Sequence, residues 1–227
     1  MALQSLSTFP RSPLPAFPRP LSHSCALCDA FDEGAMVQLQ PAGRELCRQG
    51  DPSFRVYRIR SGAMASYRLF ADGRRQVMSF HLPGDYVGLE AGVVHGSTAV
   101  CLTDTLVEAM RRSELSDLAA TDAALARALW QVSVRAFQRS EEHALVLARH
   151  GAVERVAALL VDFAARNGKG DAFDLPMTRQ DMADYLGLTI HTVSRTLSQL
   201  EAEGLIEARS SRQVRLIRTD RLRELLQ

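Results

Sequence analysis

Between residues 37 and 110 the apolar and polar positions run in short blocks that alternate in places: MVQLQ, RVYRIR, AMASYRLF, QVMSFHL and STAVCLTDTLVEAM. They are punctuated by Gly43, Gly50-Asp51, Ser61-Gly62, Asp72-Gly73, Pro83-Gly84-Asp85 and Gly96. Runs of this length between turn residues predict strands, and their spacing predicts a small antiparallel barrel or roll. Ala71-Asp72-Gly73-Arg74 falls between two such runs and predicts a hairpin turn, because Asp-Gly tolerates the positive φ angles of tight hairpins.

From about residue 116 to 150 the turn residues vanish. Leu118, Leu125, Leu129, Val132 and Ala136 recur at spacings of seven, four, three and four, which predicts one long helix with a coiled-coil-like stripe. A second set, Trp130, Val134, Phe137, Ala144 and Ala148, lies on a different face and is expected to pack on the roll. A helix apolar on two faces needs two partners, its own domain and a second copy of the chain; the alternative is a single helix sunk in a monomer core. A further helix over residues 152–166 runs into the polar break Asn-Gly-Lys-Gly-Asp.

In LPMTRQDMADYLGLTIHTVSRTLSQLEAEGLI the pattern becomes that of two short helices. Thr178 is placed as an N-cap, Asp181 follows as the acid of a capping box, and Met182, Tyr185 and Leu186 give an apolar face before Gly187. Thr189 caps the next helix, where Ile190, Val193, Leu197 and Leu200 form the inward stripe and Gly204 is placed to end it. Helix, Gly-containing turn, helix is the helix-turn-helix plan. Turning the stripe inward leaves His191, Ser194, Arg195 and Ser198 where a major groove would meet them. Arg can donate two hydrogen bonds to guanine, Ser serves a phosphate or base edge, and His donates or accepts by tautomer. Taken alone, an ordinary solvated helix face would look the same. Downstream, LIEARSSRQVRLI reads as two short strands around Ser210-Ser211 with Arg209, Arg212, Arg215 and Arg218 clustered, which makes a winged helix-turn-helix. Thr178, Thr189, Arg209 and Arg212 join the candidate DNA contacts.

These motifs resemble the CRP/FNR superfamily of bacterial transcription regulators, and its FNR/FixK branch in particular. The resemblance covers roughly residues 22–225 and is carried by GRELCRQGD (43–51), IRSGAM (59–64), HLPGDYVGL (81–89), the long helix and residues 177–206. It implies an α+β chain: an N-terminal antiparallel β-roll of the cyclic-nucleotide-binding jelly-roll kind at 22–115, a dimerisation helix at 116–150 and a C-terminal winged helix-turn-helix at 151–227, behind a tail at 1–21 that its prolines at 10, 13, 15, 18 and 20 mark as flexible. It also implies a homodimer on palindromic double-stranded DNA, with RNA polymerase as a further partner. In the FNR branch the reading triplet is Glu-x-x-Ser-Arg and the half-site resembles TTGAT. Here the triplet is His191, Ser194, Arg195, so the G-containing part should be kept while the base facing residue 191 stays open.

Composition narrows the picture. The 227 residues carry 27 basic and 26 acidic side chains, so any DNA contact must be local. Residues 189–223 hold seven Arg against four acids, a local excess of about three positive charges. No run approaches the ~18 apolar residues of a membrane span, and the Pro-rich start lacks the pattern of an export signal, which places the protein in the cytoplasm. Cys25, Cys28, Cys47 and Cys101 are then expected in a reducing compartment, where metal, redox or core roles outrank structural disulfides.

Oxygen sensors of the FNR branch hold a [4Fe–4S] cluster on four cysteines, and Cys25-Ala-Leu-Cys28 is the right kind of start. The rest departs from that pattern: no third Cys follows closely, Cys47 takes a place the family fills with a buried apolar residue, and the family's fourth ligand position corresponds to Glu108. Cys47 and Cys101 lie in strand-like runs and read as core residues before ligands. Cys25 and Cys28 can share a metal, with His23 as a nitrogen donor, or form a reversible disulfide. Three readings stay open: a cluster, another thiol, zinc or haem signal, or no cofactor. A thioredoxin-like enzyme is set aside because the pair is not read at the start of a helix after a strand. Cyclic AMP is not expected, since no Arg occurs between Arg75 and Arg111 to meet its phosphate.

Overall fold

The computed structural model describes residues 25–90, 92–167, 172–210 and 212–226; the tail at 1–21, His23 and Ser211 lie outside them. A short helix α1 (Ala26–Gly34) leads into eight strands: β1 (Met36–Gln40), β2 (Glu45–Cys47), β3 (Arg55–Ser61), β4 (Met64–Leu69), β5 (Arg75–His81), β6 (Tyr86–Val87), β7 (Thr98–Cys101) and β8 (Thr105–Arg111). They form two four-stranded antiparallel sheets, in the orders β1-β8-β3-β6 and β2-β7-β4-β5. The sheets close on Tyr57, Ile59, Met64, Val107 and Cys101, the inward positions of the alternating runs. The hairpin joining β4 to β5 turns at residues 71–74 as expected, with Phe70 N–H donating to Arg74 O at 2.9 Å and Gly73 at φ 82°. Gly62 sits at φ 86°, and a Cβ there would come within 2.5 Å of the Asp104 carbonyl.

The expected single helix over 116–150 is two, α2 (Arg112–Thr121) and α3 (Ala123–Ala148). Asp122 breaks it: its backbone is extended at φ −113°, ψ 104°, and its carboxylate accepts Ala124 and Leu125 N–H at 2.7 and 3.2 Å, the bonds of an N-cap. The two apolar faces of α3 are also exchanged relative to the expectation. Leu125 and Val132, together with Ala128, are buried in their own chain against Leu27 and Phe31 of α1, Val56, Tyr86, Met110 and Leu115, with half-buried Leu129 packed beside them. Leu118 lies on α2, and Ala136 is exposed at the margin. The face expected to meet the roll is the more open one: Trp130 and Phe137 are 72 and 63% exposed, Ala144 and Ala148 are exposed, Val134 is half-buried, and Leu145 next to them is 65% exposed.

The C-terminal part comprises α4 (Ala152–Asn167), β9 (Ala172–Asp174), α5 (Arg179–Leu186), α6 (Ile190–Ala202), β10 (Ile206–Ala208), β11 (Gln213–Leu216) and α7 (Thr219–Glu224). Its sheet runs β10-β11-β9, so the two strands of the wing gain a third from before α5 that the sequence pattern did not reveal. One apolar cluster continues from the roll (Val77, Phe80, Leu82) through α4 (Leu160, Phe163) to α5 and α6 (Leu186, Leu200). Polar contacts fix the same junction. Arg75 of β5 pairs with Asp184 at 2.7 Å and with Asp181, and Gln76 donates to the Tyr185 carbonyl at 3.2 Å. Asp85 receives Arg139 of α3 and Arg166 of α4, each at 2.7 Å.

Candidate nucleic-acid interface

The helix pair is set by short-range chemistry. Thr178 and Asp181 form a reciprocal capping box: the Thr178 hydroxyl accepts Asp181 N–H at 3.1 Å, and Asp181 accepts Thr178 N–H at 2.9 Å. Gly187 ends α5 at φ 62°, a left-handed conformation that suits Gly. Thr189 caps α6 by accepting Thr192 N–H at 3.1 Å. Val193, Thr196, Leu197 and Leu200 are buried, so the inward stripe holds a threonine in place of Ile190, which is 39% exposed at the first turn.

His191, Ser194, Arg195 and Ser198 are all exposed on the opposite face of α6. Arg209 and Arg212 are exposed on the wing, where Arg209 pairs with Glu207 at 3.4 Å. Thr178 and Thr189 are exposed as well, but their hydroxyls are engaged in the caps described above. An exposed recognition face beside a basic wing can dock on a duplex by base edges and phosphates together.

The structure separates the four cysteines. Cys25 and Cys28 are half-buried at the start of α1, with sulfurs 3.0 Å apart. The pair does open a helix, with Cys25 as its N-cap, while the segment before it, where a thioredoxin-like site would need a strand, lies outside the described residues. Cys101 is buried and Cys47 half-buried in the core between the sheets; burial pushes both thiols up, Cys47 to about 11. Glu108 is 3% exposed and held by Arg58 and, at 2.9 Å, by Arg60. Arg58 also pairs with Asp32 and donates to the Cys28 carbonyl at 3.0 Å. The ligand set of a four-cysteine cluster is thus split between two cores, and its fourth position is occupied by a carboxylate neutralised by two guanidiniums. These residues do not fit such a cluster. Among the described residues no three of His, Cys, Asp and Glu are grouped to hold a metal.

A cavity of about 1410 Å³ lies between the roll, α3 and α4. Glu90 faces it and accepts from His95 Nδ1 at 2.6 Å. The roll contributes no guanidinium to its wall, whereas Arg139, Arg149 and Arg166 reach it from the helices, a source the sequence reading missed. No residue between 76 and 110 signals that approach, because it depends on how α3 and α4 dock.

Compared with known proteins, residues 38–122 match the family description "Cyclic nucleotide-binding domain" and residues 154–225 match "Crp-like helix-turn-helix domain". The nitrogen fixation regulation protein FixK of Rhizobium meliloti is 42% identical over 84% of this chain and 87% of its own length. The chain belongs to the CRP/FNR family. A second member, FixK of Azorhizobium caulinodans, is 44% identical over 75% of this chain and 71% of its own. The solved structure of FixK2 from Bradyrhizobium japonicum superposes with a TM-score of 0.81 at 40% identity, covering 84% of this chain and 96% of that one. As a CRP/FNR protein of the FixK/FNR type, the chain is a transcription regulator that binds DNA through its helix-turn-helix. Among the described residues no helix is long and apolar enough to cross a membrane.

Proposed function

We propose that the protein acts in the cytoplasm as a homodimer on palindromic TTGAT-like promoter sites, working with RNA polymerase on genes that respond to oxygen, redox state or nitrogen oxides. The observation that carries the reading is the exposed set His191, Ser194, Arg195 and Ser198 on a helix whose other face is buried. Ser194 and Arg195 keep two of the three residues of the FNR-branch triplet. The relatives named above are regulators of nitrogen fixation, which supports target genes of low-oxygen metabolism. Homodimerisation is supported by the open apolar face of α3, where Trp130, Phe137 and Leu145 recur at seven and eight residues.

The test is binding-site selection from random duplexes with the wild type and His191→Glu. The wild type should return inverted repeats whose half-sites keep the G of TTGAT, spaced about one helical turn. His191→Glu should shift the selection toward TTGAT itself, since a carboxylate accepts from the cytosine opposite that G. Recovery of no palindrome from either protein defeats the reading.

A further inference from the structure

Cys25 and Cys28 have different surroundings although they touch. Cys25 is the N-cap of a nine-residue helix: its sulfur accepts the Cys28 backbone N–H at 3.4 Å and lies 3.0 Å from the Cys28 sulfur. At the start of a helix that sulfur faces the unpaired backbone N–H donors of the first turn, one of which it accepts. Cys28 sits one turn deeper, where burial first and its bond to Cys25 second hold the proton on sulfur. The pair therefore consists of a capping sulfur that accepts a backbone N–H and a neighbour in contact with it whose thiol holds its proton.

A second observation points to the same place. Tyr86 is 9% exposed, and its hydroxyl, buried close to Cys28, meets no acceptor in hydrogen-bonding geometry among the described residues. A buried phenolic O–H is unfavourable without an acceptor. Negative charge developing on the Cys28 sulfur would provide one. Arg58, which donates to the Cys28 carbonyl at 3.0 Å, adds a fixed positive charge on that side.

We propose that Cys25 and Cys28 form a dithiol site oxidised by small peroxides to an intrahelical disulfide, with Cys25 the attacking sulfur and Cys28 the resolving one. In the first step the Cys25 sulfur attacks a peroxide oxygen. The S–O bond forms, the O–O bond breaks, and the second oxygen leaves with the proton of the Cys25 thiol, as water from hydrogen peroxide or as an alcohol from an alkyl hydroperoxide. Cys25 is then a sulfenic acid. Cys28 gives up its proton and attacks the Cys25 sulfur; the S–S bond forms, the S–O bond breaks, and a second water departs. Two thiols have lost two electrons and two protons to one peroxide, and a thiol reductant reverses the change. The site lies behind the dimerisation face, because α1 buries Leu27 and Phe31 against Leu125, Ala128 and Val132 of α3. The chemistry rests on the thiols alone and stands or falls independently of the DNA-binding reading.

The experiment takes the full-length protein, fully reduced, exposes it to equimolar hydrogen peroxide and alkylates it under denaturing conditions. Alkylated thiols should fall from four to two, and peptide mapping should join Cys25 to Cys28. In Cys28→Ser the reaction should stop at a sulfenic acid on Cys25 that dimedone traps. In Cys25→Ser, where the serine oxygen keeps the N-cap, Cys28 should react at least about tenfold more slowly. The proposal is overturned if four thiols remain alkylatable in the wild type, if the bond formed includes Cys47 or Cys101, or if Cys28 reacts as fast without Cys25.

Discussion

Arg195 and Arg212 carry the same guanidinium on different elements, α6 and the wing, and are expected to serve different tasks. Arg195 stands on the face of α6 opposite Val193 and Leu197, on a helix fixed at both ends by Thr189 and the turn at Gly204. A rigid base there would let its fork address one guanine. Arg195→Ala should weaken binding to the selected palindrome by about 1–3 kcal/mol per half-site and relax selectivity at that base. Arg212 lies on the wing beside strand β11, its backbone N–H donating to the Ser210 hydroxyl at 3.2 Å. Its alanine variant should weaken selected and scrambled duplexes alike and lower the salt slope by about one counterion per subunit. Fluorescence anisotropy over a salt series separates the two; equal loss of specificity in both variants contradicts the assignment.

At the scale of an element, α3 is where the two apolar faces must be told apart. Val132 belongs to the packing under α1, so Val132→Glu is expected to unfold the roll rather than to report on association. Trp130 and Phe137 are the informative positions, being 72 and 63% exposed. Trp130→Glu with Phe137→Glu should change the stability of a single chain by roughly 0.5 kcal/mol or less while placing charge in the proposed interface. Light scattering should find a dimer for the wild type and a folded monomer for the double variant, with palindrome binding lost. A variant that remains dimeric removes this face as the interface.

For the molecule as a whole, the junction between the roll and the helix-turn-helix concentrates charge. Arg75 joins the end of the β4–β5 hairpin to Asp181 and Asp184, both largely buried by their surroundings. Arg75→Ala leaves two carboxylates without their guanidinium and should cost about 1.5–3 kcal/mol in urea denaturation. The same junction makes stability depend on pH. Burial lowers His81 to about 4 and also lowers His143, whose Nε2 donates to the Tyr185 carbonyl at 2.8 Å. Unfolded imidazoles titrate near ~6.5, so below that pH the unfolded chain binds protons that the folded chain refuses. Their contribution is complete above about pH 6.5 and is lost as the pH falls toward the folded value of His81. Glu142 and Asp162, raised by burial, act with the opposite sign, which makes the difference between wild type and His81→Gln the proper readout. Thermal melts between about pH 7 and about pH 4.5 should show a shallower acid loss in His81→Gln; parallel curves would exclude His81.

The helix-turn-helix and the hairpin at Asp72-Gly73 were legible in the residues because caps and turns are completed within a few positions. Thr178 meets Asp181, Thr189 meets Thr192, and Gly73 needs only its own φ. The outward residues of α6 followed from the same local frame, except that Ile190 stayed exposed and Thr196 took the inward place. Asp122 shows the limit even for local signals: its cap was present in the sequence, but an apolar period running across it suggested continuity. Which face of α3 is covered is a different kind of question. Both faces carry enough apolar surface to be buried, and the choice fell to Leu27 and Phe31, nearly a hundred residues earlier in the chain. The same holds for Glu108, whose role is set by Arg58 and Arg60 on a neighbouring strand, and for Cys28, whose surroundings depend on Tyr86. Sequence by itself determined the caps, the turns and the outward face of α6, where the energy is local; only the tertiary structure decided the pairing of β9, burial and charge pairing, which depend on what distant segments bring to the same place.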